Sequence, residues 1–116
     1  MKKEILIFIK HMMESIKRIE DYSKNLTKEK LENKLKDQDA IIRRIEVLGE
    51  AVKNIPHNFR DKHPEIEWKK IAGTKDILIH HYFGVDINEI WDIIKKDLPD
   101  LKRKLKKIEE ELGKVE

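Results

Sequence analysis

Two runs of apolar residues, spaced alternately by four and three, most constrain what this chain can fold into. Ile5, Ile9, Met12, Ile16 and Ile19 form the first; Ile41, Ile45, Leu48 and Val52 form the second, widened by Ala51 and Ile55. At about 100° of rotation per residue, such spacing lays one stripe along one side of an α-helix. Each stripe must be covered by another apolar surface, so the two helices have to pack on each other or on further helices. Glu14, Lys17, Arg18 and Asp21 lie off the first stripe. The first helix is therefore expected over residues 2–22, ended by Ser23 to Asn25. The second runs from Asp37 to Ile55, where Pro56 disfavours the helical region for the residue before it.

The remaining segments follow the same pattern more weakly. Thr27 is a candidate N-cap for a short helical segment through Leu31 and Leu35, whose high charge and low apolar content predict a loosely packed or mobile stretch. Pro56 to His63 reads as a connector. Pro64 suits the first turn of a third helix, with Glu65 and Glu67 favouring the positive end of its dipole. That helix is expected to run to about His81, with Trp68, Ile71, Ala72 and Ile79 on its stripe, and Gly84 is a candidate C-cap. Asp86 and Glu89 have capping-box spacing. Ile87, Ile90, Trp91 and Ile94 form a fourth apolar face. Asp97-Leu98-Pro99 predicts a break or kink, and Leu101, Leu105, Ile108 and Leu112 carry a last stripe. Both tryptophans fall on stripes and are assigned to the core. Gly49 costs about 1 kcal/mol against Ala inside a helix. It marks either close helix packing or room for a ligand or partner. Its neighbour Glu50 is either solvated or turned towards the histidine-rich segment.

The sum is an all-α chain, an antiparallel bundle of four to five helices in one domain, residues 1–116. With 42% charged residues, four Gly and three Pro, the composition agrees. The absence of cysteine excludes disulfides and thiolate metal sites. A net charge of +3, from 26 basic and 23 acidic residues, permits nucleic-acid binding without arguing for it. Richness in Lys, Glu and Ile is a tendency of thermophile proteins. The apolar run Ile5 to Ile9 is much shorter than the roughly 20 residues that span a bilayer. Glu4 and Lys10-His11 flank it without a cleavage signal, so neither a membrane span nor a signal peptide is expected and the cytoplasm is the expected location.

The chemistry concentrates between Gly73 and Gly84. This segment holds Lys75, Asp76, His80, His81 and Tyr82. Asp76 and His80 are four apart and share a helix face, where a carboxylate can fix an imidazole tautomer. Lys75 and Tyr82 are seven apart and share another. Lys75 and His80 are five apart and diverge by about 140° on a straight helix. Their cooperation needs a distorted helix end or a second copy of the segment across a dimer axis. Four readings fit these residues. His80 can be a core histidine paired with Asp76. His80, His81 and Asp76 are metal-ligand types, although adjacent histidines point to different faces and no HExxH spacing is present. Nucleophilic catalysis would have only Ser15 and Ser23, far upstream. In metal-free RNA cleavage, a histidine moves the proton of a ribose hydroxyl and a cation stabilises the charged phosphorane.

Lys75-x4-His80-x-Tyr82, within TKDILIHHYFGVD, resembles the Arg-x4-His-x-Tyr signature of HEPN-domain proteins of the HepT type. The likeness extends through QDAIIRRIEVLGEAVKNIP, EIEWKKIAGTKDILIHHYFGVD and IWDIIKKDLPDLK, nearly the whole chain. The resemblance implies an all-α homodimer with both motifs lining a cleft, acting as the toxin of an MntA/HepT toxin–antitoxin module. Such a toxin is a ribonuclease that needs no metal or other cofactor. Its antitoxin, a minimal nucleotidyltransferase, silences it by moving AMP from ATP onto the motif tyrosine. By the same resemblance His80 is the general acid/base, Tyr82 the AMP acceptor and Lys75 the phosphate-facing cation. Asp76 stands where Asn is common, and Glu50 and His81 are supporting candidates. Lys75 departs from the family's Arg: it keeps the charge and loses the planar fork that grips a phosphate at two points. A second reading is therefore a weak or inactive helical dimer that serves as the nucleotidyltransferase's binding partner.

Overall fold

The structure is a computed structural model that describes residues 2–79 and 86–114, with side chains described for 3–74 and 86–113. Its elements are α1 (Lys2–Ser23), α2 (Lys28–Glu32), α3 (Leu35–Lys53), α4 (His57–Lys62), α5 (Trp68–Ile79), α6 (Ile87–Asp92), a π-helical turn (Ile93–Asp97) and α7 (Leu98–Lys114). The described residues contain no strand. The fold is the all-α bundle that the apolar periodicity predicts. α3 packs between α1 and α5, and α7 packs on α1.

Both leading stripes are core. Ile9, Met12 and Ile19 of α1 and Ile41 and Val52 of α3 are fully buried. Leu105 and Ile108 of α7 and Ile90 of α6 close the same core from the other side. Burying each such side chain contributes about 1.5–3 kcal/mol against exposure, which makes this shared interior the main stabilising term. Gly49 is buried within α3. Trp68 is also core. Trp91 is half-buried against the core cluster, with the Lys95 ammonium 4.8 Å from its ring centroid.

Four local expectations differ from the structure. The short segment after Thr27 is firmly held. Thr27 does cap α2, accepting from Lys30 N at 3.1 Å, but Leu31 is fully buried while Leu35 is 71% exposed. Gln38 fixes the segment further by donating to the carbonyls of Leu31 and Glu32, at 2.8 and 3.1 Å. One buried leucine and two carbonyl contacts outweigh a polar composition. The connector after Pro56 forms the short helix α4, because Arg60 folds back to donate to the carbonyls of Ile55 and Val52, at 2.9 and 2.7 Å. The Val52 carbonyl, which also accepts from the Ile55 N–H at 3.0 Å, and that of Ile55 lie at and just past the end of α3, where a guanidinium suits the helix dipole. The third long helix begins at Trp68; Pro64 to Glu67 form a turn ahead of it.

Of the break or kink expected at Asp97–Pro99, the break is absent: the helix continues through a change of pitch. The N–H of Leu98 bonds the carbonyl of Ile93, five residues back. Pro99 has no N–H to give, and a wider turn ahead of it accommodates the residue without ending the helix.

Candidate active site

The candidate segment is carried by α5, and α5 is positioned at its start. Ile66 and Trp68 are buried, and the Trp68 indole Nε1 donates to the His63 carbonyl at 3.0 Å. The backbone N–H groups of Ile66 and Trp68 close the turn onto the carbonyls of His63 and Ile66. The His63 ring lies 4.5 Å from that of Phe59, centroid to centroid, and its Nδ1 is 3.1 Å from Glu65 Oε1. Burial opposes the charge on Glu65. Hydrogen bonds from its own backbone N–H and from His63, with the charges of His63 and Lys104, nevertheless hold its carboxyl below the usual range.

Downstream, α6 is capped by Asp86, whose carboxylate accepts from Asn88 N at 2.9 Å. Its carbonyl accepts from the backbone of Glu89 and Ile90. Residues 80–85 thus join two elements with identifiable anchors. Positions 75 and 76 lie on the helical backbone of α5. The side chains of Lys75 and Asp76, and all of His80, His81 and Tyr82, lie outside the described residues. Glu50 is exposed on α3, with its carboxylate 3.4 Å from Lys53 Nζ. Among the described residues, no group of three or more acidic or histidine side chains is arranged to hold a metal ion.

A cavity of about 320 Å³ lies beside the start of the segment, between α3, α5, the π turn and α7. Ile45, Leu48, Ile71, Ile93, Leu98 and Leu101 give it an apolar floor, and Thr74, directly before Lys75, reaches its wall. The charges around it are mutually matched. Lys70 Nζ lies 3.5 Å from Glu67 and 3.9 Å from Asp97, Lys104 lies 2.8 Å from Asp100, and Lys96 lies 3.8 Å from Asp92. The Lys104 hydrogen bond, with the charges of Lys104 and Arg103, holds the Asp100 carboxyl below its ordinary range against a smaller desolvation effect. Chemically this is an apolar recess with a neutralised rim. The sequence pattern alone did not point to it, because its wall joins residues from four elements.

Comparison with known proteins bears on the segment directly. The family described as ribonuclease HepT-like matches residues 12–108. A Methanocaldococcus jannaschii protein named "gamma-glutamylcyclotransferase and putative RNase" is 48% identical over 98% of this chain, which spans 51% of that longer protein. A "putative RNase" of the same organism is 40% identical over 99% of this chain and 93% of its own length. A "probable ribonuclease HepT" of Thermococcus cleftensis is 41% identical over 93% of this chain and 98% of its own. No solved structure matches the chain. Among the described residues, no helix is long and apolar enough to cross a membrane.

Proposed function

The chain belongs to the HepT-like ribonuclease family, and on that premise we propose that it is a metal-independent RNA endonuclease whose activity is switched off by AMP transfer. The observation that carries this reading is the coincidence of the family match with Lys75, His80 and Tyr82 at motif spacing, on and just after α5. In the proposed reaction one His80 imidazole takes the proton of a ribose 2′-hydroxyl. The oxygen attacks the adjacent phosphorus, the 5′-oxygen leaves with a proton returned by a second imidazole, and a cyclic phosphate remains. Lys75 stabilises the phosphorane as a point charge, and Asp76 orients the imidazole. His81 and Glu50 support the site from its edges.

We propose a homodimer that brings the His80 imidazoles of two chains together. The divergence of positions 75 and 80 on a regular helix supports this, and α5 is regular through Ile79. The proposed switch is attack by the Tyr82 hydroxyl on the α-phosphorus of ATP, with loss of pyrophosphate, catalysed by a minimal nucleotidyltransferase partner. The added phosphate would place negative charge where RNA must bind.

The test is RNA cleavage by the purified protein in EDTA. His80→Ala should abolish cleavage, and Lys75→Arg should raise it by restoring the bidentate grip. Cleavage that survives His80→Ala would refute the assignment. Mass spectrometry after incubation with the partner and ATP should find AMP on Tyr82. The lysine at position 75 favours one second reading, a binding subunit with little activity of its own. That reading expects a stable complex, unmodified Tyr82 and no gain from Lys75→Arg.

A further inference from the structure

The positive charge of the chain is concentrated in one short stretch. Residues 95–107 hold seven cations, Lys95, Lys96, Lys102, Arg103, Lys104, Lys106 and Lys107, against two carboxylates, Asp97 and Asp100: a net +5 where the whole chain has +3. The remainder of the chain is therefore slightly acidic. The structure sets this stretch on the π turn and α7, and all seven cations but the half-buried Lys104 are exposed. The apolar residues of the same helix, Leu98, Leu101, Leu105, Ile108 and Leu112, are all buried. The outward face of α7 therefore carries Arg103, Lys106 and Lys107 with no large apolar side chain among them. Glu109 to Glu111 bound it on the C-terminal side.

Local pairing leaves part of this charge in excess. Lys102 is held by Glu20 of α1 at 3.0 Å, Arg103 and Lys104 share Asp100, and Lys96 is near Asp92. Lys106 and Lys107 have no carboxylate within 4.0 Å among the described residues. They lie more than one turn before the end of α7, beyond the range in which a helix dipole rewards a cation.

We infer that this face of α7 is a sequence-independent docking surface for the sugar–phosphate backbone of RNA, centred on Lys106 and Lys107 and distinct from the motif segment. The inference rests on the ribonuclease reading and adds how the substrate is held away from the scissile bond. An exposed lysine row without an apolar or aromatic anchor is poorly suited to a protein partner, whose interfaces are depleted in lysine and need a buried core. It is well suited to phosphates, where binding is driven by release of counterions. The length from Arg103 to Lys107, about 6 Å at helical rise, matches the spacing of two successive phosphates.

The experiment titrates the intact chain with single-stranded 2′-O-methyl RNA, which cannot be cleaved through its blocked hydroxyls, across a range of KCl concentrations. Two lost phosphate contacts should lower the slope of log K against log salt by about 1.4, at roughly 0.7 per contact on single strands. Lys106→Gln/Lys107→Gln should show that loss and bind about 10-fold more weakly near physiological salt, with unchanged helicity and Tm. Lys28→Gln/Lys34→Gln, a charge-matched change on and beside α2, should alter neither quantity. Wild-type binding that the α7 variant leaves intact overturns the inference alone. A wild type that fails to bind RNA overturns it together with the ribonuclease reading. Equal weakening of binding to poly-glutamate would assign the face to an acidic protein and overturn the RNA assignment.

Discussion

Gly73→Ala should stabilise this protein. Gly73 sits inside α5, two residues before Lys75, where a glycine costs about 0.5–1 kcal/mol relative to alanine through lost backbone entropy. Among the described residues, a methyl group built at this position meets no heavy atom within 4 Å. No clash or contact therefore offsets the propensity gain, and the expected effect is the propensity difference itself, about 0.5–1 kcal/mol. For a domain of this size that corresponds to a rise in Tm of roughly 2–5 °C. Thermal unfolding followed by circular dichroism, at several protein concentrations, measures it, with sedimentation reporting the assembly state. A fall in Tm accompanied by dissociation on dilution would refute the reasoning. It would put another chain's atoms against residue 73, so that the open space seen in one chain is filled in the assembly.

Two further outcomes follow from the described contacts. Arg60→Leu removes two guanidinium hydrogen bonds to the end of α3 and should cost about 3 kcal/mol, the low end of roughly 1.5–3 kcal/mol for each bond to a charged group, since both are only part-buried. Chemical denaturation measures this, and Arg60→Lys should recover less than half of the loss because it cannot fork to both carbonyls. The Glu65 carboxyl is depressed by its hydrogen bonds, so its contribution to stability is present above the unfolded-state value of about 4.3 and is lost as pH falls through the folded-state value. The Tm difference between the wild type and Glu65→Gln should accordingly be largest near neutrality, small because the side chain is 46% exposed, and vanish towards pH 3.

The long helices were legible because their information is local and repetitive. Five residues at steps of four and three define the core face of α1, and every one of Ile5, Ile9, Met12, Ile16 and Ile19 is buried. What the sequence concealed depends on contacts between distant positions. Gln38 is buried although glutamine is usually exposed, because its amide satisfies two carbonyls at the end of α2. Leu31 and Leu35 look equivalent in the chain, yet one is sealed in the core and the other is among its most exposed apolar residues. Lys102 and Glu20 meet across 82 positions. Pro99 announces a perturbed helix, but whether the helix breaks or widens is decided by the burial of Ile94, Leu98 and Leu101 on one continuous face.

The candidate site shows the same division between local and distant information. An imidazole, a cation and a phenol at fixed spacing are visible in a dozen residues, because the proposed proton transfer needs particular side chains close together. Their orientation is a different matter. The helix bearing positions 75 and 76 is held by its packing on α3 and, at its start, by the Trp68 indole on the His63 carbonyl and by Ile66 in the core. No spacing rule connects Trp68 to His63, five residues earlier in an irregular turn. The Asp86 cap then sets where the chain resumes after the motif. The elements that aim the site therefore lie outside its signature. It follows that relatives can keep the motif and differ in how well it is aimed. An exchange of Lys for Arg at position 75 matters to the extent that those anchors hold the segment still, since the fork of an arginine adds orientation only where its backbone is already fixed.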